Sequence, residues 1–319
     1  MAAEGPQMNR FQANICLICV TMCWSVEVIL LKNIPTEIPA FAVVCMTNFI
    51  GALVLGAAFF ARLKKMHLSR SLVLNASFLA TLSVAFNVLA TIGLRYLEVS
   101  TGTFAQMMTL VIVPLALFLL RRSVSPQRWA GIAIVIVGIF IALGPSVGSI
   151  DLLGITLVLS SCVIEAVYLI RLNACAKKAD PMQLAVLLLA LISLFSGIVW
   201  AVFDPWSIPA LRLNAAALAS LFMYSLFICA IAMALNIFAQ KTAAVQDTIV
   251  IYALQIVFST IFAATLPDLL LEPVPLTAFA VIGCSLVCIG NIVSEFDYQK
   301  YVKAVKAKRQ LWLDKRGSQ

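Results

Sequence analysis

The chain has 319 residues, 63% of them hydrophobic and 11% charged, with a net charge of +8 and a mean hydropathy of +1.05. A soluble domain carries about a quarter charged residues, so soluble enzyme, secreted disulfide scaffold and nucleic-acid-binding domain are excluded as main readings. No stretch is polar enough to form a soluble domain of its own, and the composition is that of a multi-span, all-α membrane protein.

A membrane-crossing helix needs roughly 20 mostly apolar residues. In chain order, ten stretches meet that need: 12–31, 40–60, 72–94, 100–120, 128–143, 152–171, 182–203, 215–240, 248–266 and 276–294. The first is too long for a signal peptide and lacks a small-residue cleavage site after it, so it reads as a retained helix. Pro114 is expected to bend the fourth span. The fifth is short and the eighth long, which tilt absorbs. Residues 295–319 form a basic tail, where Phe296, Tyr298, Tyr301, Leu311 and Trp312 offer interfacial anchors. The tail is expected to lie on anionic lipid headgroups.

Lys and Arg placement sets the orientation. With the amino terminus inside, the inner segments hold Arg10, Arg62, Lys64, Lys65, Arg70, Arg121, Arg122, Arg128, Arg171, Lys177, Lys178, Lys241 and the seven cations of the tail. Only Lys32, Arg95 and Arg212 fall outside, so both termini are predicted to be cytoplasmic. The single histidine, His67, sits beside Lys64 and Lys65 in a loop and reads as solvated. Of the nine cysteines, Cys16, Cys19 and Cys23 share a helical face, but no His or acidic group stands at ligand spacing. No metal, cofactor or catalytic constellation is expected, and no phosphate loop or nucleophile elbow is present.

The two halves repeat each other. Span five places Gly131 and Gly138 seven apart, and span ten does the same with Gly283 and Gly290. Such glycines let helix backbones approach closely. These two spans are expected to buttress each half without touching substrate. Span one ends in Glu27 through Lys32 and span six in Glu165 through Arg171, while spans three and eight carry Asn87 and Asn236. Five spans per half, an odd number, turn the second copy upside down, the arrangement of secondary transporters. The halves are 11–143 and 152–294.

With Trp24, Glu27 and Lys32 in span one, and Pro114, Arg121, Arg122, Pro126, Trp129, Gly131 and Gly138 through spans four and five, the chain resembles the drug/metabolite transporter superfamily, in particular its EamA-type members. The resemblance implies ten helices in two inverted five-helix repeats and a transporter rather than an enzyme. Glu27 stands where the family has a small or amide residue, and arginine replaces the acidic residue near the end of span four. The first span is also similar to that of small multidrug resistance proteins, which use one essential glutamate there, though their Glu-to-Lys spacing is longer. Family cavities draw on spans three, four, eight and nine, which brings forward Asn87, Gln106, Asn236, Tyr252 and Gln255.

Glu27 and Glu165 are the two carboxylates well inside spans, where a charge is costly and marks function by default. From the rise of a helix, Glu27 lies about 7 Å from the outer end of span one and Glu165 about 9 Å from the inner end of span six. Glu27 shares a face with Cys23 and Trp24, and Glu165 with Ser161 and Tyr168. Trp24 reads either as a stacking surface for a substrate or as an interfacial anchor. The carboxylates read as binders of a cationic or amine-bearing solute, exchanged for protons, or as packing groups bonded to neighbouring helices. Asn48, Asn75, Thr109 and Tyr224 are assigned to packing.

The reading is thus a carrier in a bacterial inner membrane, exporting an amino acid, amine or drug-like solute by alternating access. A lipid-linked sugar flippase and a non-transporting receptor or scaffold are the alternatives.

Overall fold

The computed structural model describes residues 8–32, 34–35, 37–64, 69–97, 99–121, 125–143, 151–207, 215–265 and 277–295. His67, Lys65, Arg122, Arg212 and the basic tail beyond Glu295 lie outside them. Among the described residues every regular element is helical. Five helices are long and apolar enough to cross a membrane: Ala40–Ala58, Arg70–Arg95, Leu152–Ala176, Pro181–Phe203 and Ala217–Gln240. The segments read as spans four, five, nine and ten appear as shorter apolar helices.

Polar residues at the ends start these helices. Asn9 caps α1 (Arg10–Trp24) in a reciprocal box: its side chain accepts from the Gln12 N–H at 2.8 Å, and its own N–H donates to Gln12 Oε1 at 3.0 Å. Ser69, Asp151 and Asp180 cap α5 (Arg70–Arg95), α9 (Leu152–Ala176) and α10 (Pro181–Phe203). Between them lie α2 (Glu27–Lys32), α3 (Ala40–Ala58), α4 (Phe60–Leu63), α6 (Val99–Met107), α7 (Thr109–Leu119) and α8 (Pro126–Leu143). Then follow α11 (Ala215–Tyr224), a π-helix (Ser225–Ala232), α12 (Met233–Gln240), α13 (Val245–Tyr252), α14 (Leu254–Thr265) and α15 (Ala278–Glu295).

Large apolar side chains face outward, among them Leu119 at 73%, Leu152 at 77% and Ile292 at 67% exposure. Water would not tolerate such a surface, whereas lipid covers it. The interior is held by pairs of helices. α5 packs on α9 and α10, α3 packs on α10 and on the π-helix, and α1 packs on the π-helix, α12, α13 and α14.

The tightest partners are α8 and α15. A Cβ added at Gly138 would stand 2.8 Å from the Gly283 carbonyl oxygen, and one at Gly290 2.7 Å from that of Gly131. The spacing of the glycines did predict close backbone approach. The two helices brace each other and also pack on helices of their own halves, α8 on α6 and α15 on α13 and α14.

Four predicted spans are not continuous, span two only near its end, at Phe59. Span one stops at Trp24 and restarts at Glu27, span four is interrupted at Met108 and span nine at Ala253. α7 runs through Pro114, and the interruption in span four lies six residues earlier. Broken helices survive in a membrane only where the freed backbone groups find other partners. Here span nine serves the break in span one. Gln255 donates its side-chain amide to the Trp24 carbonyl at 3.1 Å, and the Ser25 hydroxyl, which donates to the Thr21 carbonyl at 2.6 Å, also stands 3.1 Å from the Gln255 carbonyl.

Candidate functional site

The broken and intact spans enclose a cavity of about 140 Å³. All nine residues singled out from the sequence stand on its wall: Trp24, Glu27, Asn87, Gln106, Glu165, Tyr168, Asn236, Tyr252 and Gln255. They come from spans one, three, four, six, eight and nine, so sequence separation hid a single constellation. No residue of α8 or α15 reaches the wall.

The break in span one decides where Glu27 sits. It is the first residue of α2 and stands on the cavity wall with Trp24. It faces α11, where the Tyr224 hydroxyl donates to Glu27 Oε1 at 2.9 Å. Glu165 keeps the face expected of it, together with Ser161 and Tyr168 on the wall. The Thr109 hydroxyl, at the start of α7 just beyond the break in span four, donates to Glu165 Oε2 at 2.7 Å. Each carboxylate therefore has one neutral donor from another span and no cationic partner among the described residues. Both keep part of their surface open to the cavity.

The remaining polar groups form two sets. Tyr252 donates to Asn236 Oδ1 at 2.7 Å, and Gln240 donates to the same oxygen at 3.1 Å. Trp24 stands edge-on to Tyr252 with ring centres 4.8 Å apart, which makes it a wall of the cavity rather than a headgroup anchor. Tyr168 leans on Phe86 at 5.2 Å and faces the Met233 sulfur. Asn87 donates back to the Ser83 carbonyl at 2.8 Å. Gln106 Oε1 is buried with no hydrogen-bond donor.

The assignment of Asn48, Thr109 and Tyr224 to packing does not hold, since all three line the cavity and two of them hold the carboxylates. Asn75 lies elsewhere, on the wall of a second cavity. Among the described residues no group of three or more His, Cys, Asp or Glu could hold a metal ion, and all nine cysteines are free.

Sequence reasoning missed a charged cluster at one end of the bundle. Asp247, in the first turn of α13, pairs with Arg10 at 3.1 Å and with Arg128 of α8. Its side chain is 7% exposed. At the same end Asn173 of α9 donates to the Gln240 and Ala243 carbonyls, and Thr242 donates to that of Met8. The legible signal is an acidic residue that opens an apolar stretch, with arginines at the start of spans one and five.

Fold and site together define a multi-pass membrane protein whose internal cavity carries carboxylates and amides on a largely apolar wall. The EamA-like transporter family model matches residues 12–144, so the resemblance drawn from spans one, four and five is met over the first half of the chain. That family is one of membrane transporters of the drug/metabolite superfamily. A solved structure, described only as the crystal structure of a protein, shares the fold at a TM-score of 0.72 with 18% identity, over 90% of this chain and 97% of its own. Among curated proteins no sequence matches the chain.

Proposed function

We propose that the protein is a secondary-active carrier that exports a small amine-bearing metabolite, such as an amino acid, by alternating access, in exchange for protons. The observation that carries this reading is the convergence of Glu27 and Glu165 on one cavity, each held by a single neutral hydroxyl. A carboxylate kept in an apolar bundle needs a proton or a cation to accompany it. The orphan acceptor of Gln106 adds a place for an N–H of the solute. Ligand pockets usually measure roughly 300–1,000 Å³, so a 140 Å³ cavity suits a small solute in a nearly closed state.

The carrier works as two inverted halves, 11–143 and 152–294, of ten spans in all. The packing supports this reading: exchanging spans one to five for six to ten turns three-on-six into eight-on-one, and three-on-seven into eight-on-two. It also turns four-on-six into nine-on-one and leaves two-on-seven and five-on-ten as themselves. Both termini and the Arg10–Asp247–Arg128 cluster face the cytoplasm of a bacterial cell, by the distribution of Lys and Arg. That cluster closes the inner end in this conformation, and opening it completes the cycle.

The test is flux in proteoliposomes carrying the purified protein, with pooled amino acids and organic cations and an imposed pH gradient. Accumulation that follows the gradient supports the reading. If a lipid-linked sugar crosses and no soluble solute does, the flippase alternative replaces it. No movement of either class favours a receptor or scaffold.

A further inference from the structure

A second cavity, of about 330 Å³, opens away from the central one, between the start of α5, the end of α9 and the start of α10. Its wall carries Arg171 and Lys178 together with Ser71 and Asn75. The Arg171 guanidinium rests 5.2 Å from the centre of the Phe78 ring, within cation–π range, which aims it along the wall. Neither Arg171 nor Lys178 forms an ion pair with another described residue. Asn75 donates to the Ser71 carbonyl at 2.8 Å and to its hydroxyl oxygen at 3.4 Å, so the Ser71 O–H is left to donate elsewhere.

One carboxylate shares the wall, that of Asp180, and its Oδ1 accepts the Met182 and Gln183 N–H groups at 3.1 Å each as the cap of α10. Two cations and a hydroxyl donor against one carboxylate engaged in capping make a receptor for an oxyanion. The surroundings say which source the oxyanion has. Leu74 and Phe78 on the same helix are exposed at 60% and 46%, so a strip of lipid-facing apolar surface adjoins the cations. A soluble phosphate has no use for that strip, whereas a phospholipid has chains to lay on it. Basic pockets between spanning helices take lipid headgroups for this reason.

We propose that this cavity binds the phosphate of an anionic phospholipid, with Arg171, Lys178 and Ser71 as donors and the chains running along Leu74 and Phe78. The site stands on its own cavity and does not depend on what the central cavity carries.

The experiment measures binding of phosphatidylglycerol, phosphatidylcholine and inorganic phosphate to the full-length protein in detergent by native mass spectrometry. Wild type is compared with the double variant Arg171→Gln/Lys178→Gln and with Lys177→Gln. Lys177 is exposed, carries the same charge at the same end and is not on the wall, so its variant reports diffuse surface electrostatics. The expected result is selective retention of phosphatidylglycerol over phosphatidylcholine, weakened at least tenfold in the double variant and less than twofold in Lys177→Gln. Unchanged thermal unfolding of the double variant keeps that loss assigned to binding. Equal losses in both variants, or none in either, would overturn the site. Displacement of the lipid by inorganic phosphate at equal concentration would overturn the lipid as its occupant.

Discussion

If the Arg10–Asp247–Arg128 cluster holds one end of the bundle shut, its three members contribute unequally, and the order follows from burial. Asp247 is 7% exposed, Arg128 22% and Arg10 53%. Removing one partner of a buried ion pair costs roughly 3–5 kcal/mol, because the other charge is left stranded. In Asp247→Asn the two arginines lose this carboxylate but reach water in part, so the cost falls to about 2–3 kcal/mol. Arg128→Gln leaves Asp247 with its more exposed partner and costs about 1–2 kcal/mol. Arg10→Gln removes a mostly hydrated partner and costs at most about 1 kcal/mol. At about 1.4 kcal/mol per tenfold change, the opening equilibrium rises roughly 30- to 150-fold in Asp247→Asn and no more than about fivefold in Arg10→Gln. Hydrogen exchange of the amides in 245–252, followed by mass spectrometry on the reconstituted protein, reads that equilibrium directly. Equal acceleration in all three variants, or the largest in Arg10→Gln, would refute the assignment of the closure to a buried Asp247.

Three further outcomes follow from the same geometry. Tyr224→Phe and Thr109→Val each remove the hydroxyl donor to a carboxylate, a bond to a charged group worth about 1.5–3 kcal/mol, and should raise the KM of any transported amine roughly ten- to hundredfold; an unchanged KM in both would make the hydroxyls incidental. Gly290→Ala places a Cβ 2.7 Å from the Gly131 carbonyl, a backbone atom that cannot swing aside, and should destabilise the protein by about 1–3 kcal/mol in a thermal or denaturant melt, whereas Gly56→Ala meets nothing within 4 Å and should not. Gln255→Ala frees the Trp24 carbonyl at the break in span one and should lower transport more than stability; a full-rate variant would show that the latch between spans one and nine is dispensable.

Composition was enough to read the class, because lipid imposes a simple rule on every exposed side chain. The candidate site was legible for a related reason: a polar or acidic residue inside an apolar run is expensive, so Glu27, Glu165, Asn236 and Gln255 announced themselves one at a time. Their meeting in one cavity was not legible, nor was the role of Thr109 and Tyr224, because the hydrogen bonds join residues 56 and 197 positions apart. The helix breaks escaped notice for the same cause. Nothing local to Trp24–Ser25–Val26 marks an interruption; it is made tolerable by Gln255 from span nine. Pro114 marks an expected bend in span four, whereas the interruption at Met108, beside the threonine that holds Glu165, carries no comparable mark in the sequence.

The central claim is that the cavity holding Glu27 and Glu165 is where solute and proton meet. Proteoliposomes with an imposed pH gradient, loaded with wild type, Glu27→Gln or Glu165→Gln, test it most directly, with solute-driven proton movement read by a trapped pH dye. The account predicts gradient-driven flux and proton movement in wild type and the loss of both in at least one variant, with the folded protein still present. Full coupling in both variants would contradict it and return the two carboxylates to helix packing.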